Sequence, residues 1–207
     1  LDPRGFKTHL ARRYHLTASD LSPYDLVILV RSGDIPFEPI DVLSLRSYVA
    51  TGGSLAVVVS PAWEASAPLI HSGLLSLFDV RVGDKTLDPA PATKINAEHP
   101  ITRRIPALTA RHAVSLEVPF GTSLAESNGQ TVLAAIPYRH GRVVVSSFGQ
   151  WLFPDPARVY GARWQRDTVV NSAQSRTIQS TPLQPFTGTH AKLVQQTIDW
   201  LMEARPD

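Results

Sequence analysis

Cysteine is absent from all 207 residues. That one absence removes thiol nucleophiles, disulfides, thiolate zinc sites and iron–sulfur clusters together. Long apolar runs are missing too: none approaches the roughly 18–20 residues that cross a bilayer, so no direct membrane insertion is expected. Leu1-Asp2-Pro3-Arg4-Gly5 has no signal-peptide pattern, and an opening without methionine reads as a processed or trimmed chain. Excess charge of one sign is equally scarce. The formal net charge is +2 although the sequence pI is about 9.1, which argues against a polyanion-binding surface and so against nucleic acid as partner. There is no glycine-rich phosphate loop, because Gly52-Gly53 follows a helical pattern instead of joining a strand to a helix start. The seven histidines, His9, His15, His71, His99, His112, His140 and His190, form no H-x-H, H-x-x-x-H or H-E-x-x-H pattern. No metal and no other cofactor is therefore expected.

What is present speaks first of architecture. Residues 25–30 (DLVILV) are apolar with almost no alternation, the mark of a strand covered on both faces, and residues 55–59 (LAVVV) repeat it. Between them Glu38 is placed to cap a helix and Pro39 suits its first position. Val42, Leu43, Leu45, Tyr48 and Val49 recur at helical spacing before Gly52-Gly53 ends the run. Strand, helix and strand of these lengths make a right-handed crossover, so the sheet is parallel here and the class is α/β. A chain of this length can bury roughly 70% of its unfolded surface without staples, so residues 1–207 are read as one domain.

Around that unit, residues 5–13 predict a short amphipathic helix and residues 15–18 a strand. Leu69, Ile70, Leu74, Leu75 and Leu77 predict a helix leading to a strand near Val80-Arg81-Val82. Residues 83–107, proline-bearing and without period, predict an irregular surface excursion. Residues 112–118, 131–136 and 142–147 predict strands, the last two joined as a hairpin at Arg139-His140-Gly141. Residues 154–188 predict a long loop insertion, and Thr189 an N-cap for a closing helix carrying Leu193, Val194, Thr197, Ile198 and Leu201 on one stripe with Trp200 beside it.

Several short signatures, in order, carry a resemblance over nearly the whole chain. They are Gly5-Phe6-Lys7, Tyr24-Asp25-Leu26-Val27-Ile28, the helix ending in Gly52-Gly53 and His99-Pro100-Ile101-Thr102. Val118-Pro119-Phe120-Gly121-Thr122-Ser123-Leu124, Gly141-Arg142-Val143-Val144-Val145 and Asp199-Trp200-Leu201 complete the set. The chain resembles class I glutamine-amidotransferase-like, flavodoxin-like domains that lack the catalytic cysteine. Examples are the amino-terminal domain of an intraflagellar-transport complex B subunit, gliding-motility ABC-transporter accessory proteins and uncharacterised bacterial relatives. The resemblance implies a mostly parallel sheet with helices on both faces and a carboxyl-terminal antiparallel hairpin. It implies a non-catalytic module in a larger assembly. It also implies a central strand upstream of Leu1, without which two neighbouring strands would show unpaired edges.

Candidate site residues follow from where open α/β sheets place ligands, at the carboxyl ends of parallel strands. Arg31, Ser32 and Asp34 follow the first apolar strand; Ser60, Trp63 and Glu64 follow the second; Trp151 follows the last. Ser60 stands where the resemblance implies the lost nucleophile, but no G-x-S-x-G elbow surrounds it. The bland alternatives are that Ser60 satisfies strand-end backbone and that Arg31 pairs with Glu64 or Asp34. His99 is expected to be structural, with Pro100 fixing a turn and His99 or Thr102 bonding local backbone. The expected function is binding of a protein partner, self-association or capture of a small polar ligand or sugar. Two alternatives stay open: a hydrolase or transferase at the same edge, and a carbohydrate-binding domain stacking sugars on Trp63, Trp151 and Trp164.

Overall fold

The computed structural model describes residues 15–30, 38–59, 73–87, 90–110, 113–148 and 188–203. In chain order these form α1 (Ala18–Leu21), β1 (Leu26–Val30), α2 (Pro39–Ala50), β2 (Ser54–Val58), a 3-10 turn (Leu75–Phe78) and β3 (Arg81–Leu87). There follow β4 (Ala90–Pro91), β5 (Lys94–Ile95), β6 (Thr109–Ala110), β7 (Ala113–Glu117), β8 (Thr122–Ser127), β9 (Gln130–Tyr138), β10 (Gly141–Ser146) and α3 (Gly188–Met202). The main sheet runs β1-β2-β10-β9-β7-β3, with β8 also on β9 and β5 on β8; β4 and β6 pair separately.

The α/β class holds, and the sheet is mixed. Among the described residues parallel pairing is confined to β1 with β2 and β2 with β10. The other pairings among the described residues are antiparallel, which corrects the expectation of a mostly parallel sheet. The reason is connection length. β8 and β9 are joined by Asn128-Gly129, both at positive φ (51° and 73°), and β9 and β10 by Arg139-His140, with Arg139 at φ 53°. Two-residue turns return a strand antiparallel, whereas a parallel return needs a crossover of a dozen residues or more.

At the parallel end the strand period sorts side chains between two cores. Leu55, Val57, Val59, Val143 and Val145 pack with Val42, Leu45, Tyr48 and Val49 of α2. Ala56, Val58 and Val144 pack with Leu193, Trp200 and Leu201 of α3, so α3 lies on the face opposite α2, beside which Leu21 of α1 also packs. Every residue of β2 is buried, as its unbroken apolar run requires. β1 departs from that expectation. Val27 and Leu29 lean on the α2 core, but Ile28 is 42% exposed, because β1 is the last described strand at this end. The described sheet is unbroken between β1, β2 and β10, and the outer edge of β1 has no partner strand among the described residues.

Cap chemistry explains the local corrections. Residues 15–18 are not a strand: the Asp20 amide donates to Thr17 Oγ1 (3.3 Å) and the Thr17 amide to Asp20 Oδ2 (3.1 Å). This reciprocal box starts α1. Residues 83–107 are not a surface excursion, since β3 runs through its start and Ile101 and Ile105 enter the core. Thr189 is the second residue of α3 instead of its cap, and Trp200 is buried with the stripe. The expected helix at 5–13, most of the expected helix before β3, and the 154–188 insertion up to Gly188 lie outside the described residues.

Candidate functional site

The three parallel strands end level with one another. Val30 is opposite Val58, and Val58 is opposite Ser146. At a strand spacing of about 4.8 Å, the chain leaves these three ends within roughly 10 Å. The candidate residues follow at once in sequence: Arg31, Ser32 and Asp34 after β1, Ser60, Trp63 and Glu64 after β2, and Trp151 after β10. All seven lie outside the described residues. What the described residues give is the frame, three neighbouring carboxyl ends feeding three segments.

α2 fixes one side of that frame. Its carboxyl-terminal turn sits at the amino ends of the strands, where the Tyr48 hydroxyl reaches the carbonyls of Tyr24 (3.2 Å) and Ser54 (3.3 Å). Its amino end therefore sits at the carboxyl ends. There the Asp41 carboxylate, almost wholly buried, accepts the Leu16 amide at Oδ1 (2.7 Å) and the Glu38 amide at Oδ2 (2.9 Å). Glu38 is the N-cap of α2, as sequence reasoning placed it, and Asp41, three residues on, returns the reciprocal bond to the Glu38 amide. Glu-Pro-x-Asp puts an acid in the third helical position, where it faces unpaired amides and the positive end of the helix dipole, and that signal was available. His15 Nδ1 lies 3.7 Å from Asp41 Oδ2 and 3.8 Å from Glu38 Oε2. Both Asp41 oxygens are occupied by backbone amides, so the group anchors residues 15–16 and the start of α2 and is not poised as a base.

At β10 the hydroxyls are equally committed. Ser146 Oγ bonds to the Phe148 carbonyl (2.7 Å) and Ser147 Oγ to the Val132 carbonyl (3.2 Å), both buried. Buried polar groups need partners, and these have them within the strand ends. Neither offers a free nucleophile.

Elsewhere, Arg81, Leu116, Glu117, Val118, Pro119, Gly121, Ser123 and Thr131 line an open groove of about 550 Å³. The Thr131 hydroxyl donates to Ser123 Oγ (3.0 Å), and Arg81 and Glu117 stand 4.0 Å apart at the exposed rim. Phe120, at the adjoining turn, is 75% exposed. The groove holds no base beside a nucleophile, and the sequence reading met it only as the Val118–Leu124 signature, with no role assigned.

His99 is structural, as expected. Its Nδ1 accepts the Ile101 amide (3.2 Å), Thr102 Oγ1 donates to the Asn96 carbonyl, and the Thr102 amide bonds the His99 carbonyl. Burial, and then the nearby Arg142 guanidinium, hold its pKa below the ordinary 6.5. Among the described residues no helix is long and apolar enough to cross a membrane.

No family model and no curated protein matches the chain. Solved structures do. Cytoplasmic protein STM3548 from Salmonella typhimurium is similar at TM-score 0.59 and 13% identity, over 89% of this chain and 74% of that one. The mmIFT52 N-terminal domain matches at TM-score 0.57 and 13% identity, over 90% and 81%. Cytoplasmic protein STM1381 from Salmonella typhimurium LT2 matches at TM-score 0.55 and 22% identity, over 72% and 69%. At these identities the likeness is one of fold, and the chain shares that fold with all three.

Proposed function

We propose that this chain is a non-catalytic, amidotransferase-like module, flavodoxin-like in its β1-α2-β2 unit, that binds a protein partner or a small polar ligand at the carboxyl edge of β1, β2 and β10. The observation that carries the reading is the level ending of those three strands. It starts the segments bearing Arg31, Ser32, Asp34, Ser60, Trp63, Glu64 and Trp151 side by side, at the edge where open α/β sheets take ligands. Two further observations support a binding role over a reaction. The chain has no cysteine, and the buried polar groups described around that edge, Asp41, Ser146 and Ser147, are spent on backbone bonds. The fold likeness to the mmIFT52 N-terminal domain agrees with the assembly role implied by the sequence resemblance.

The test is site-specific photo-crosslinking in the natural host. p-Benzoylphenylalanine placed at Trp63 or at Trp151 is expected to capture one and the same protein, while the probe at Phe120 does not. L-Glutamine is expected to release no ammonia. A small-ligand role shows as saturable shifts of the Val59 and Phe148 amides on titration with glucose or free L-glutamine, without crosslinks. Hydrolysis of L-glutamine, or equal capture from all three positions, contradicts the reading.

A further inference from the structure

Among the described groups that hold α3 to the rest of the chain is one imidazole, that of His99. The His99 imidazole lies tilted against the Trp200 indole, with ring centroids 5.2 Å apart. Arg142 reaches from β10 over the other part of the same cluster, its guanidinium carbon 4.7 Å from the Trp200 ring centroid and Nη1 on the Trp200 carbonyl. His99 is half-buried and Trp200 is only 9% exposed. The 99–105 turn is tied to α3 beyond the imidazole as well. Gln196 Nε2 donates to the Arg103 carbonyl (2.9 Å) and Lys192 Nζ to the Arg104 carbonyl (3.1 Å).

The tautomer follows from the hydrogen bond. Because Nδ1 accepts the Ile101 amide, the neutral ring carries its proton on Nε2. A second proton can enter only at Nδ1, where it turns the acceptor into a donor facing the Ile101 N–H. It also sets an imidazolium in a half-buried place beside Arg142. The charges around it are mixed. From β10 comes Arg142; from α3 come Lys192, Asp199 and Glu203, the last 4.0 Å from Arg142 Nη1; from its own turn come Glu98, Arg103 and Arg104. Burial and the Arg142 charge together keep the ring neutral below its ordinary range.

The geometry points to an acid-sensitive clasp: His99 against Trp200 fastens α3 to the 96–105 segment while Arg142 holds the same indole to β10, and protonation of His99 at Nδ1 loosens the attachment. The clasp is the regulatory device of an element that packs on one face of β2 and β10. It lies at the opposite ends of those strands from the proposed binding edge, since Ser54 and Arg142, at the amino ends of β2 and β10, bond the carbonyls of Leu201 and Trp200. It therefore stands or falls independently of the binding reading.

The experiment is NMR on the chain from about pH 7.5 down to about pH 5. Imidazole shifts of His99 are followed with the Ile101 amide and with amide exchange across residues 193–201, corrected for the intrinsic pH dependence of exchange. His99→Asn is the decisive variant: its Oδ1 can take the Ile101 amide as Nδ1 does, in an Asx turn, but does not titrate. The native chain is expected to show one shared midpoint below 6.5 for imidazole, amide and helix, with α3 exchange rising on the order of five-fold through it. His99→Asn is expected to remove the rise. An equal rise in His99→Asn overturns the clasp. So does a native chain in which the imidazole titrates while α3 exchange stays flat, a result that needs no variant to fold.

Discussion

Replacing Asp41 with alanine removes one carboxylate and leaves two backbone amides without their acceptor, those of Leu16 and Glu38. A hydrogen bond to a charged group contributes about 1.5–3 kcal/mol. Both bonds are only part-buried, so water recovers some of the loss and the lower half of that range applies to each. Loss of a negative charge at the helix amino end adds about 0.3–1 kcal/mol. The expected destabilisation is about 3–5.5 kcal/mol, large against the ~5–15 kcal/mol of a typical domain. Asp41→Asn keeps one acceptor oxygen and should cost about half as much. Urea denaturation is the assay: the midpoint should fall while the slope stays fixed, and amide exchange should quicken at Leu16 and Glu38 before the rest of α2. A loss under about 0.5 kcal/mol for Asp41→Ala, or no change at those two amides, refutes the reasoning that this carboxylate holds residues 15–16 to α2.

Four further outcomes follow from particular contacts. A Cβ at Gly141 would stand 2.2 Å from the Val49 carbonyl oxygen and 2.3 Å from that of Gly53; neither is the end of a flexible side chain, so Gly141→Ala should lower stability by about 2–4 kcal/mol, read by thermal unfolding. Leu45, fully buried between α2 and the sheet, should cost about 2–5 kcal/mol as Leu45→Ala, again by urea midpoint. The folded-state pKa of His99 is depressed, so its stabilising contribution is whole above the ordinary 6.5 and is lost as pH falls from there through the folded value. Arg142→Gln, which removes the cation beside the ring, should move the NMR midpoint of His99 upward.

How much of this was legible in the sequence depends on which force set each element. The β1-α2-β2 unit was readable because burial on two faces writes unbroken apolar runs, and because Pro39 and Gly52-Gly53 bracket the helix. The β9–β10 hairpin was readable because two β-rich runs flank a short gap holding Arg139-His140-Gly141, although both strands run closer to the turn than those runs did. β8 was missed, although Asn128-Gly129 is the strongest short hairpin signal there is; its strand, Thr122–Ser127, is polar enough to resemble a loop. The core role of residues 99–108 was missed for another reason. Ile101, Ile105 and Leu108 enter the core one at a time from turns, and no period records that. Ile28 shows the converse limit: an apolar run reports what a strand needs covered, and cannot say which chain segment covers it. At the candidate site, strand ends were legible and their level alignment was not, since register is settled by pairing partners distant in sequence. Asp41 was hidden by Glu38, the more obvious acid at the helix start, because both residue types suit that turn and only packing decides which one turns inward.

The central claim is that three loops meet at one sheet edge, and the absence of cysteine makes it directly measurable. Nitroxide labels go on Glu64→Cys with Trp151→Cys, and on Asp34→Cys with Trp151→Cys, for distance measurement by pulsed electron paramagnetic resonance. Chain connectivity alone allows these pairs to lie roughly 35–45 Å apart, at up to about 3.5 Å per extended residue beyond strand ends spaced about 4.8 Å. Convergence at the edge requires both distances to centre within about 20 Å. Distributions centred beyond about 30 Å would mean that the loops diverge, and the proposed binding edge would not exist.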